Sequence, residues 1–250
     1  MRIIISPAKK MNVDTDSLAW QDLPQFIDRA EYLRDCLKQL SYEELKRLWK
    51  CSDAIASLNA ERLADMDLRS NLTPAILAYE GIQYQYMAPG VFTGAEFEYL
   101  QEHLRILSGF YGLLRPFDGV VPYRLEMQAK LNTCKAKDLY GYWGADIYEQ
   151  LRQETDCIIN LASREYSICL SAHCKPETRF ITCVFGEETA GKIVEKGTFC
   201  KMARGEMVRF ITENRIEDPR QIKAFDRLKH RFVPELSSED TFVFVRDSKE

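Results

Sequence analysis

Apolar positions recur every three or four residues in some stretches and bunch into short runs in others, and the two patterns predict different elements. Ile3, Ile4 and Ile5 form a short run that predicts a strand over residues 3–6, followed by a loop over 7–22. Phe26, Ala30, Leu33 and Leu37 fall at helical spacing and predict a helix over 24–40, with two more over 42–50 and Asp53–Ala64. Thr93 with Glu96 three residues on is a capping box, which starts a helix carrying Phe97, Leu100, Leu104 and Leu107. A further helix is expected over 143–151 and a buried strand over Cys157–Leu161. Residues 179–186 and 192–199 read as strands paired across 187–191, where Gly191 can supply the turn. Residues 202–214 read as a helix, and 241–245 as a last strand with alternating faces. There is no internal repeat, no linker and no regular βαβ alternation. The expectation is therefore one α+β domain over residues 1–250, a mixed sheet with surrounding helices.

Composition narrows the class. Hydrophobic residues make up 46% and charged residues 29%, which excludes a disordered or fibrous chain. No apolar run approaches the roughly 18 residues that span a bilayer. The short run after Arg2 is far from a signal-peptide core. A cytoplasmic protein with no membrane partner is expected. The eight cysteines contain no C-x-x-C pair, and Cys157 and Cys183 sit in strand-like runs where a thiol acts as a small hydrophobe. Reduced structural thiols are expected. Cys169, His173 and Cys174 lack the second ligand pair of a structural zinc site, so no metal and no cofactor is expected.

Charge adds a constraint. With 34 basic and 38 acidic residues the net charge is −4, so any phosphate-binding face must be local. Basic residues gather between Arg105 and Lys137 and again between Lys196 and Arg215. Solvated charged faces explain these stretches equally well.

Four segments carry candidate chemistry. Leu45 to Leu58 resembles a helix-hairpin-helix, in which a helix start aims free N–H groups at a phosphate. Ser52 or Asp53 would cap the second helix and Lys46, Arg47 and Lys50 would add charge, although Lys50 and Ser52 stand where such hairpins use glycine. An ordinary antiparallel helix pair has the same pattern. Arg115 before Pro116, and Arg124 beside Glu126, look like arginines held at element ends, suited to a phosphate or to structural pairs with Asp118 and Glu126. Asn160-Leu161-Ala162-Ser163-Arg164-Glu165-Tyr166 is a strand end opening a helix, a common ligand position, though Ser163 also reads as a simple cap. Lys201, Arg204 and Arg209 lie near one helical face. The first two are expected at a helix start, where an anion would offset the dipole.

Ile5-Ser6-Pro7-Ala8-Lys9, Tyr111 to Pro116, Tyr123 to Met127, Asp138-Leu139-Tyr140 with Trp143-Gly144, Asn160 to Ser163 with Glu165-Tyr166, and Ala203-Arg204-Gly205 with Arg209-Phe210 and Glu213-Asn214-Arg215 together resemble the YaaA family of peroxide stress proteins, nearly end to end. The resemblance implies a single α+β domain with a positively charged cleft and a helix-hairpin-helix. It further implies binding to duplex and branched DNA, a link to recombination and oxidative repair, and limitation of free iron. On that reading Lys9, Arg115, Arg124, Lys201, Arg204 and Arg209 line the cleft, while Lys46, Arg47, Lys50 and Ser52 grip a backbone with little sequence preference. The rival is an enzyme acting on a nucleotide, nucleobase or DNA in the same cleft, with Glu126, Asn160, Ser163, Glu165 and Tyr166 as its polar groups. Direct iron handling is the third reading, with no His/carboxylate cluster to support it.

Overall fold

The computed structural model describes residues 1–189 and 192–247. Its centre is a mixed sheet. The strands are β1 (Arg2–Ile5), β2 (Leu104–Ser108), β3 (Gly112–Leu114), β4 (Cys157–Leu161), β5 (Arg179–Thr189), β6 (Lys192–Val194), β7 (His230–Phe232) and β8 (Thr241–Arg246). They lie in the order β7-β8-β5-β4-β1-β2-β3, with β6 paired to β5. Strands β2, β1, β4, β5 and β8 run parallel, whereas β3, β6 and β7 pair antiparallel at the margins. Ile3, Ile4 and Ile5 are fully buried, which explains a continuous apolar run rather than an alternating one: β1 is covered on both faces. Single-domain α+β architecture with a mixed sheet is what the sequence pattern predicts.

Several boundaries differ from the prediction. The helices are α1 (Ile27–Lys38), α2 (Tyr42–Trp49), α3 (Asp53–Ala64), the single turn α4 (Ala75–Ala78), α5 (Ile82–Met87), α6 (Gly94–His103), α7 (Leu139–Trp143), α8 (Asp146–Leu151), α9 (Arg164–Ser171) and α10 (Gly197–Glu213). The capping box at Thr93 is present, but α6 stops at His103, and Leu104 and Leu107 belong to β2. An i, i+3, i+4 pattern ran on by chance into an apolar strand. The helix expected over 143–151 is two helices, parted at Gly144 with φ of 50°. Residues 192–199 are a strand only to Val194, because α10 begins at Gly197 and already buries Cys200 and Ala203. The last strand does not alternate: Phe242, Val243 and Phe244 are all buried. Gly191 lies outside the described residues.

One packing contact sets the geometry of the site. Helix α10 lies against α5 and β5. It approaches α5 so closely that a Cβ on Gly205 would stand 2.1 Å from the Gln83 carbonyl oxygen. Only glycine fits there.

Candidate functional site

Leaving β1, the chain first adds β2 on one side and, much later, β4 on the other. The carboxyl ends of β1 and β4 therefore flank a topological switch point, where parallel sheets open a crevice for ligands. Here a cleft of about 540 Å³ opens. Ser6, one residue past β1, and Ser163, two past β4, meet across it. The Ser163 N–H donates to Ser6 Oγ at 2.8 Å, and the two hydroxyl oxygens are 3.2 Å apart. The Tyr84 hydroxyl donates to the Ser6 carbonyl at 3.0 Å, tying α5 to the same corner.

The wall opposite is an extended strap over residues 121–131, whose burial alternates strictly. Tyr123, Leu125 and Met127 point into the core, so Arg124 and Glu126 point into the cleft. Tyr123 is fixed by a chain of hydroxyls, 2.9 Å to Tyr79 and 2.7 Å to Ser108, and burial pushes its phenol up to about 12. Arg124 and Lys9 approach the same Glu126 oxygen at 3.2 and 3.4 Å. Glu165, on the first turn of α9, accepts from the Gln128 N–H at 3.3 Å. Burial raises its carboxyl above the ordinary range; bonds from Gln128 and Met127 and the Lys9 charge oppose this, and the Glu126 charge reinforces it. From α10 come Lys201, exposed, and Arg204, whose Nη2 lies 3.4 Å from Glu195.

The cleft thus unites eight predicted residues: Lys9, Arg124, Glu126, Ser163, Glu165, Tyr166, Lys201 and Arg204. It excludes others. Arg115 is exposed and lines separate hollows at the amino ends of the strands, beside Arg105, since β3 runs antiparallel to β2 and carries it away. Arg209 is five residues from Arg204, which turns it well off the cleft face, and it pairs with Glu213 at 2.7 Å. Asn160 is buried beneath the strand end, accepting from the Ala162 N–H and donating to Thr182. Lys201 and Arg204 stand in the second turn of α10, so the dipole reasoning that placed them at a helix start does not apply.

The α2–α3 segment holds none of the cleft lining. Lys50 links the helices in a left-handed conformation, φ 45°, without glycine. Ser52 is the N-cap of α3 but its side chain makes no capping bond. Asp53 instead accepts from Lys46 at 2.7 Å and from the Tyr42 hydroxyl at 2.9 Å, so a carboxylate of the chain itself already stands beside the start of α3. Arg47 and Lys50 are exposed.

The cleft also holds residues the sequence did not single out. Gln83 is 7% exposed, and its amide nitrogen, with Nε of Arg124 and of Arg204, is buried without a hydrogen-bond acceptor among the described residues. Gly81-Ile82-Gln83-Tyr84 carries no motif; a buried glutamine on a six-residue helix has no sequence signal.

A mixed sheet with a crevice at its switch point, lined by five cationic side chains and three carboxylates, defines an α+β protein of one compact domain. The chain belongs to the peroxide stress protein YaaA family, which it matches over residues 1–236. It is 54% identical over 246 residues to a UPF0246 protein of Lachnoclostridium phytofermentans, covering 98% of this chain and 96% of the relative. Its identity to the UPF0246 proteins of Agathobacter rectalis and Desulfitobacterium hafniense is 55%, over 98% of this chain and 99% and 98% of theirs. No helix among the described residues is long and apolar enough to cross a membrane.

Proposed function

We propose that this peroxide stress protein binds DNA, taking the phosphodiester backbone into the switch-point cleft with little preference for sequence. The observation that carries the reading is the set of buried donors. Arg124, Arg204 and Gln83, each with a buried side-chain nitrogen that lacks an acceptor, belong to a cleft lined by five cationic side chains against three carboxylates, in a chain whose net charge is negative. Buried donors call for an acceptor, and phosphate oxygens supply several at once. A volume of about 540 Å³ suits a nucleotide unit rather than the width of a duplex. Branched or frayed DNA, or a nucleotide turned out of the stack, is the fitting form. Arg47 and Lys50 on the α2–α3 turn would hold a flanking phosphate. Limitation of free iron is then a downstream effect: among the described residues no group of three His, Cys, Asp or Glu is placed to hold a metal.

The test is fluorescence anisotropy with duplex, single-stranded and four-way-junction DNA over a salt series. Binding that weakens steeply with salt, and further in Arg204→Glu and Lys50→Glu, is expected. A folded sample that binds none of the three at low salt refutes the reading. One observation favours an enzyme in the same cleft, namely Glu165, whose carboxyl burial raises above its ordinary range beside Glu126. In that case incubation with DNA or nucleotides yields a product that Glu165→Gln no longer forms, while binding persists.

A further inference from the structure

Away from the cleft, two thiols lie near one hydroxyl. Tyr32 on α1 lies 2.8 Å from Cys134 Sγ, across 102 residues of sequence. Cys36 stands one turn further along α1, on the same face as Tyr32 and near its hydroxyl. Cys134 is exposed and Cys36 is half-buried, so a small oxidant can reach the pair. The Lys135 ammonium stands 4.4 Å from the Tyr32 ring centre, and the ring itself stacks on Tyr142 at 5.8 Å. The Tyr32 side chain is thereby held against Cys134, with a cation over its ring and Cys36 one turn away. Of the six other thiols, Cys169, Cys183 and Cys200 are buried, and burial raises each of them, while Cys51, Cys157 and Cys174 are half-buried.

We infer that Cys36 and Cys134 form a peroxide-reactive site that closes to a disulfide. Cys134, as its thiolate, attacks one oxygen of hydrogen peroxide; the O–O bond breaks, giving Cys134 sulfenic acid and hydroxide, and the Lys135 charge steadies the negative charge that develops. Cys36 then attacks that sulfur and displaces the sulfenic oxygen as hydroxide, which takes up the Cys36 thiol proton, while the first hydroxide takes up the proton that Cys134 released. Overall two thiols lose two electrons to one peroxide, which becomes two waters. Because Cys134 already touches Tyr32 and Cys36 is one helical turn from it, side-chain rotation and a shift of the exposed Cys134 loop bring the two sulfurs together without unfolding α1. The consequence is local and mechanical. Cys134 ends the segment that begins with the cleft strap, so the bond fastens the far end of that segment to α1.

The fully reduced full-length chain is treated with hydrogen peroxide, alkylated, and digested without reductant for mass spectrometry. A Cys36–Cys134 linked peptide with loss of two of the eight thiols is expected. In Cys36→Ser the sulfenic acid on Cys134 persists and is trapped by a dimedone probe. In Tyr32→Phe closure slows several-fold while the thermal midpoint, checked in parallel, stays close to wild type. The inference is overturned if Cys134 reacts no faster than half-buried Cys51 and Cys157, or if it passes to the sulfinic acid with no cross-link in the wild-type chain. None of these readouts depends on DNA binding.

Discussion

Replacing Gly205 by alanine tests the packing that places Arg204. Alanine is the better helix former, and at a helix-interior position free of neighbours the change stabilises by about 1 kcal/mol. At Gly205 the new Cβ would stand 2.1 Å from the Gln83 carbonyl oxygen, 2.9 Å from the Met87 nitrogen and 3.0 Å from the Tyr86 Cβ. Two of these are backbone atoms of α5, so no side chain can swing aside and the helices must separate. Overpacking of this kind costs about 1–3 kcal/mol, and a backbone clash this short belongs at the upper end. The net expectation is a loss of about 2 kcal/mol, or roughly 4–8 °C in thermal midpoint for a chain of this size. Gly197→Ala on the same helix is the control, since a Cβ there meets nothing within 4 Å. Differential scanning calorimetry of both variants beside wild type decides the matter. A Gly205→Ala protein as stable as wild type, or more so, would mean that α5 and α10 are not in this contact, and the description of the cleft would fall with it.

Two further outcomes are expected. Burial raises the Asp118 carboxyl to about 7, against bonds from the Arg115 N–H and the charges of Arg115 and Arg105. The folded state therefore holds its proton more tightly than the unfolded one, and this stabilisation is full below about pH 4 and lost as pH rises through about 7, up to roughly 4 kcal/mol. Asp118→Asn should flatten that slope in urea titrations at pH 5 and pH 8, and unchanged parallel profiles would count against it. Arg105 is 3% exposed and is held by Glu154, at 2.9 Å from Nε, which also accepts from Arg2 at 3.2 Å. Glu154→Ala leaves that guanidinium only the carbonyls of Gln101 and Leu104 and should cost about 3 kcal/mol in the urea midpoint. A loss under about 1 kcal/mol would show that water reaches Arg105.

The legible parts of the chain are those where a local rule and the tertiary structure agree. Thr93 caps its helix through the full box with Glu96, and β1 and β4 are apolar runs of strand length. Strand β2 escaped because Leu104 and Leu107 continue a helical period that the preceding residues had set. Strand β7 is three residues long and has no pattern at all. Within the site, charge and strand-end position pointed to Arg124, Ser163, Glu165 and Arg204. Arg115 and Arg209 carry the same chemistry but are turned away by strand direction and helical phase, which depend on partners remote in sequence. Gln83 contributes through burial alone, and burial of a polar side chain is written nowhere in its neighbours.

The central position of β1 has a consequence for how the protein is made. Its four residues are made well before their partners, residues 104–106 on one edge and 158–161 on the other. The Ser6–Ser163 contact spans 157 residues, and Arg204 joins the cleft later still. Contacts so distant in sequence close slowly, and until they close Ile3, Ile4 and Ile5 present two unpaired, wholly apolar edges. A nascent chain halted before β4 would thus carry this apolar segment uncovered, where holding chaperones can bind it. Ribosome-bound chains halted before and after Leu161 should differ sharply in their tendency to aggregate once released.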